Sequence, residues 1–167
     1  MIKIKHLVLL LVCAVIAFSS CGKINHDIPV IPDNFDPVVQ FTKDTTAIRA
    51  FIIAKNIPAI KNPVNGLFYQ VIAPGTGSVN YTTSTLVSAN YVGTLLNGSV
   101  FDKSNGTSLK FELSRVIVGW QIGIPLVQPG GKLRLIIPSG LAYGNDNRQP
   151  FPPNSILDFT IDVISAQ

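Results

Sequence analysis

Leu157-Asp158-Phe159-Thr160-Ile161-Asp162-Val163 alternates without a break. Leucine, phenylalanine, isoleucine and valine point one way; aspartate, threonine and aspartate point the other. A period of two is the signature of a strand, and one apolar plus one polar face describes a half-buried antiparallel strand with one wet side. Working back along the chain, Lys132 to Ile137 alternates too, with Leu133, Leu135 and Ile137 sharing a face. Leu86 to Leu95 is a longer strand that ends at Asn97-Gly98, a strong hairpin signal. Val100-Phe101 and Leu109 to Leu113 are short strands on either side of Ser104-Asn105-Gly106, and Leu67 to Ala73 is closed by Pro74-Gly75. Gly119 to Val127 has Trp120, Ile124 and Val127 near one helical face, and Gln128-Pro129-Gly130-Gly131 ends it. The expected fold is therefore α+β: a curved antiparallel sheet of about five strands wrapped over a short helix.

Upstream the pattern changes. Asp44 is placed to cap a helix running to about Asn56, with Ala47, Ile48, Phe51 and Ile52 on one face. Ile57-Pro58 ends it, because the residue before proline avoids the α region. Such a short helix must dock, and the sheet domain is the expected partner. Residues 22–43 carry Pro29, Pro32 and Pro37 among polar residues and read as an extended tether.

The first twenty residues form a different kind of segment. Lys3 and Lys5 give a positive start, and Leu7 to Ala17 is an apolar run too short to span a bilayer. Ser19-Ser20-Cys21-Gly22 follows, which resembles a bacterial lipobox, although Phe18 stands where leucine is usual. That resemblance implies a lipidated Cys21 and an envelope protein on its membrane, at an outer-membrane or periplasmic face. Cys13 lies inside the apolar run, so cleavage leaves Cys21 as the sole cysteine and excludes an intramolecular disulfide. The expected organisation is signal peptide 1–20, lipidated cysteine and tether 21–43, helix and linker 44–64, and a domain over 65–167.

Charge excludes some classes of function. Of 13 basic residues two are Lys3 and Lys5, which leaves 11 against nine acidic. These are scattered, so no nucleic-acid footprint is expected. His26 is the only histidine after Cys21, which argues against a His/Cys metal cluster and a histidine-based triad. No cofactor is expected.

Five short motifs remain: Asn90-Tyr91-Val92-Gly93, Gly98-Ser99-Val100-Phe101-Asp102-Lys103-Ser104, Val116-Ile117-Val118-Gly119-Trp120, Leu141-Ala142-Tyr143-Gly144 and Pro152-Pro153-Asn154. In this order they resemble the FKBP-type peptidyl-prolyl cis-trans isomerases over about residues 65–167. The resemblance implies a half-barrel of five or six antiparallel strands around a short helix, with proline-containing polypeptides as partners and macrolides as further ligands. It implies Trp120 as the floor of a proline pocket and Tyr91, Phe101, Val116, Ile117 and Phe159 as its walls. Phe111 takes the place of a neighbouring aromatic, and Asp102 is similar to the pocket carboxylate. Tyr143 and the Ile117 amide resemble the donors to a ligand carbonyl, and Arg148 to Pro153 a flap with Phe151 at its tip. Two departures, Leu109 where an aromatic is common and no acid before Val116, bear on macrolide affinity more than on isomerisation.

The residue types suit the task. Rotation about an X-Pro bond faces roughly 18–20 kcal/mol because the amide is conjugated. No bond breaks, so no nucleophile or metal is required. An apolar pocket disfavours the planar, more polar amide relative to the twisted one, and a few donors fix orientation. Two alternatives stand beside this reading: a non-catalytic module that holds proline segments in the cleft, and an envelope-complex subunit whose function lies in residues 22–60.

Overall fold

The computed structural model describes residues 35–167. The signal segment, Cys21 and the tether up to residue 34 lie outside the described residues. What is described forms one body, a seven-stranded antiparallel sheet with a helix on each side.

Helix α1 spans Pro37–Ala54, starting about two turns before the expected Asp44. Pro37 therefore belongs to the helix and not to a tether. Proline is favoured at the first helical position, where its missing N–H was never going to be bonded. Asp36 supplies the cap, accepting from the amides of Val38 at 2.8 Å and Val39 at 3.2 Å. At the other end Asn56 takes φ +51°, Ile57 N–H donates to Ile52 and Asn56 N–H to Ile53. This pair of bonds is a Schellman stop, one residue before the expected Pro58.

The strands are β1 Ile60–Lys61, β2 Phe68–Ala73, β3 Leu86–Leu95, β4 Val100–Lys103, β5 Leu109–Glu112, β6 Lys132–Ile137 and β7 Leu157–Ala166. Their order is β1-β2-β6-β7-β3-β4, with β5 also pairing the first half of β3. The two-residue β1 adds a strand to the expected five or six. Between β5 and β6 lie a 3-10 turn, Leu113–Arg115, and helix α2, Val118–Gly123, extended by a second 3-10 turn to Leu126.

Alternation assigns the two faces. Val87, Ala89, Leu133, Leu135, Ile137, Phe159, Ile161 and Val163 pack with Trp120 and Ile124 of α2 in the main core. Gly119 and Gly123, one turn apart on α2, lie flush on β6. A Cβ on Gly119 would come within 2.6 Å of Ile137 Cγ2, and one on Gly123 within 2.5 Å of Leu135 Cδ1.

The opposite face is not simply wet, as the polar half of β7 suggested. Phe68 and Ile136 are buried there under Ile48 of α1, with Phe51, Ile52 and Leu96 packed around them. Ala47, expected on the buried face of α1, is exposed; Asp44 and Ile48 take that face. Asp158 is buried as well and holds Arg134 through two bonds, 2.9 Å to Nε and 2.6 Å to Nη2. An ionised carboxylate tolerates burial when it is paired this way.

Candidate active site

Register sets the cavity. Near the end of β3, Gly93 pairs with Phe159 of β7 on one side and Asp102 of β4 on the other. The hairpin that returns β4 turns at Gly98, φ +88°, with Asn97 Oδ1 accepting the Ser99 amide. A Cβ on Gly93 would sit 2.6 Å from Phe159 and 2.8 Å from Phe101, so only glycine lets these two rings meet over the strand. Their centroids are 5.4 Å apart and the rings nearly perpendicular. Trp120 rises from α2 against this wall, edge-on to Tyr91 and to Phe159, each at 5.2 Å. Edge-to-face contacts of this kind add to plain burial and hold each ring's orientation.

These rings enclose a cavity of about 370 Å³. Trp120, Tyr91, Phe101 and Phe159 line it, joined by Val116 and Ile117 at the start of α2. Asp102 and Tyr143 bring polar atoms to it. The Tyr91 hydroxyl donates to Asp102 Oδ2 at 2.7 Å, while Oδ1 accepts the Lys103 amide at 2.8 Å. Burial and then this bond to the Asp102 carboxylate push the Tyr91 hydroxyl up to about 12. Burial, followed by the charge of Asp102, also raises Tyr143. Both hydroxyls therefore keep their protons at neutral pH and can donate. Tyr143 is 40% exposed, at the cavity's mouth.

Two expected contacts take a different place. Phe111 does not line the cavity but backs Trp120 at 5.4 Å. Phe151 is not an exposed flap tip: it is 8% exposed, edge-on to Phe101 at 4.9 Å and tilted on Tyr143 at 5.7 Å. Apolar contact on both sides draws the ring inward behind the wall. Arg148 turns back on its own loop, with Nε and Nη2 each 2.9 Å from the Asp146 carboxylate, whose acidity this pairing strengthens.

Two further residues line the cavity. Leu109 supplies an aliphatic wall at the position where an aromatic is common. Arg115 stands at the rim, its side chain 81% exposed and 3.6 Å from Glu112. The missing acid before Val116 was the signal for it, since that position is occupied by the opposite charge. Among the described residues no group of three His, Cys, Asp or Glu side chains could hold a metal ion.

Comparison with known proteins agrees with this geometry. Residues 77–164 match the family model described as FKBP-type peptidyl-prolyl cis-trans isomerase. The chain is 40% identical over 110 residues to the FKBP-type peptidyl-prolyl cis-trans isomerase FkpA of Escherichia coli K12, covering 65% of this chain and 40% of that protein. It is 39% identical over 123 residues to the peptidyl-prolyl cis-trans isomerase Mip of Coxiella burnetii, covering 71% of this chain and 53% of Mip. The chain thus spans about half the length of these curated relatives or less. A crystal structure of a peptidyl-prolyl cis-trans isomerase from Pseudomonas syringae superposes with a TM-score of 0.63 at 31% identity, covering 75% of this chain and 95% of that one. With its half-barrel, its aromatic cavity and a family match across β3 to β7, the chain belongs to the FKBP-type peptidyl-prolyl cis-trans isomerases.

Proposed function

We propose that the protein is a peptidyl-prolyl cis-trans isomerase that accelerates X-Pro rotation in exported polypeptides, held at the cell envelope by a lipid on Cys21. One observation carries the catalytic part: an aromatic-walled cavity of about 370 Å³ with the Tyr91–Asp102 pair, the Tyr143 hydroxyl and, at its rim, Arg115 as its polar groups. The proline ring enters between Trp120, Phe101 and Phe159. Tyr143 and the Ile117 amide donate to the substrate carbonyls and fix the chain while the amide twists. Val116 and Leu109 complete the wall, with Phe111 and Phe151 stiffening it from behind. Water exclusion lowers the preference for the planar amide, and nothing is transferred.

The substrate is a polypeptide, not a nucleic acid, in keeping with the scattered charge. Macrolides that mimic the twisted amide are expected to bind weakly, given Leu109 and Arg115 at the wall and rim. The anchor reading rests on Lys3, Lys5, the apolar run to Ala17 and Cys21. Two acyl signals or one plus a second contact give stable anchoring, so a multiply acylated cysteine suffices.

The test is a protease-free isomerisation assay on a proline tetrapeptide with the full chain in detergent. Tyr143→Phe and Asp102→Val are each expected to lower kcat/KM about tenfold, the equivalent of one hydrogen bond of about 1.4 kcal/mol. Peptide binding without rate enhancement would instead establish a holding module. Cys21→Ser should abolish incorporation of labelled fatty acid and release the protein from the membrane fraction; retained labelling would overturn the anchor.

A further inference from the structure

Asp44 sits in the middle of α1, not at its cap, and is only 3% exposed. A buried carboxylate is costly unless its oxygens are satisfied. Here three donors reach it: Gln40 Nε2 to Oδ1 at 2.7 Å, Ser139 N to Oδ2 at 2.8 Å and Ser139 Oγ to the same oxygen at 2.6 Å. Two of the three come from a residue 95 positions away, in the 3-10 turn Ser139–Leu141 that follows β6.

The chain of bonds continues. The Ser139 carbonyl accepts the amides of Ala142 at 2.9 Å and Gly144 at 2.8 Å, the two neighbours of Tyr143. The Gly144 carbonyl accepts the Asn154 amide at 2.7 Å. Tyr143 is thus bracketed by two bonds to one carbonyl, and the residue that owns this carbonyl is gripped, at its N–H and its hydroxyl, by α1. Packing alone would not need a carboxylate: Ile48 already docks the helix on Phe68 and Ile136. The helix also lies outside residues 77–164, the stretch that matches the family.

We propose that Asp44 is a positioning residue. By holding Ser139 it fixes the loop that presents the Tyr143 hydroxyl to the cavity, so that activity depends on α1 being docked. Asp44 touches no substrate, and the inference rests on the isomerase reading and on Tyr143's part in it. An apolar clamp could hold the helix to the sheet, but only hydrogen bonding to Ser139 sets where the turn, and with it the tyrosine, begins.

The full chain is compared with Asp44→Ala and Asp44→Asn, each alone and combined with Tyr143→Phe, below the unfolding temperature of every variant. Asp44→Ala is expected to lower kcat/KM about tenfold, since misplacing a contact group by ~1 Å costs up to ~100-fold. Asp44→Asn should recover most of that loss, because its amide oxygen still accepts from Ser139 while Gln40 turns its own amide round. In the Tyr143→Phe background Asp44→Ala should cost less than twofold, as residues acting through one group are not additive. Hydrogen exchange at the Ala142 and Gly144 amides should quicken about tenfold or more in Asp44→Ala and stay near wild type in Asp44→Asn. If Asp44→Ala does not fold, Ser139→Ala removes the hydroxyl donor alone and should give the same pattern with a two- to threefold loss. Wild-type kcat/KM in folded Asp44→Ala, an undiminished loss on top of Tyr143→Phe, or unchanged exchange at the two amides would each overturn the proposal. An inactive wild type would sink the isomerase reading instead, and amide exchange would still decide whether Asp44 holds the Tyr143 loop.

Discussion

The two faces of the sheet are built from the same strands and do opposite things. On the inner face β6 and β7 present Leu133, Leu135, Phe159 and Ile161 to α2, and the charged groups of the cavity, Asp102 and Arg115, sit among its lining. On the outer face their neighbours are Arg134, Ile136, Asp158 and Asp162, a mixture that α1 covers only in part. The inner face gains from uniform apolar burial and precise ring contacts. The outer face keeps its charges by pairing them, and holds its helix with a small apolar patch and one carboxylate. Alternation along a strand therefore separates the cavity-bearing surface from the docking surface by the thickness of one backbone.

That division can be broken most forcefully from inside. Phe159→Ala removes the ring that touches Trp120, Tyr91 and Phe101, and is expected to cost about 3–5 kcal/mol of stability along with most of the isomerase activity. Urea unfolding and the proline assay measure both. Asp158→Ala, one residue away but on the outer face, strands the Arg134 guanidinium, whose proton is held mainly by that carboxylate. Arg134 is 27% exposed, so water softens the loss to roughly 2 kcal/mol, between the values for buried and surface pairs. Its kcat/KM should stay near wild type; an equal fall in activity would show that the faces are not independent.

Smaller effects sharpen the contrast. Tyr91 keeps its proton up to about pH 12, and Tyr143 is raised as well, whereas tyrosines of the unfolded chain release theirs near 10. The native state then binds more protons than the unfolded one above pH 10. The stabilisation is complete below that and is lost as pH rises through about 12. Urea midpoints at pH 8, 10 and 11 should fall accordingly, and Tyr91→Phe should flatten the fall. Least of all, Lys132→Gln breaks the half-exposed pair with Asp162, 3.1 Å long, and should shift stability by under ~1 kcal/mol at low salt and by nothing measurable at high salt.

Much of the fold could be read in the alternation, and it was lost where alternation stops. The bounds of β3 and β6 match the sequence reading because turn residues bracket them: Asn97-Gly98 follows β3 and Gly130-Gly131 precedes β6. Strand β7 runs on to Ala166, past the expected Val163, because Ser165 and Ala166 still pair with Ser88 and Val87; the register shift at exposed Ile164 reverses the phase and hides that continuation. Strand β1, two residues long, has no period to read. Helix α1 starts earlier than the pattern suggests because Pro37, a breaker inside a helix, is a helix start when it follows a capping Asp36. The polar half of β7 looked wet, since nothing local says that a helix from over a hundred residues earlier covers Asp158.

The site divides in the same manner. Tyr91, Phe101, Asp102, Val116, Ile117, Trp120, Tyr143 and Phe159 do converge on one cavity, because residue type and motif order carry that information. Which aromatics face the cavity and which stand behind them depends on ring packing, and so Phe111 and Phe151 were placed one layer too far forward. Arg115 was visible only as an absence.

The depth of the cavity is fixed where there are no side chains at all. Trp120 is the floor, and the helix that carries it meets β6 through Gly119 and Gly123, with Ile137 and Leu135 filling the space a methyl would take. The floor therefore rests on a gauge block one hydrogen thick. A methyl added there must displace Ile137 or Leu135, tilt α2 or push β6 outward; where α2 gives way the indole moves, while every residue that lines the cavity keeps its identity. The bore of this cavity is set from behind.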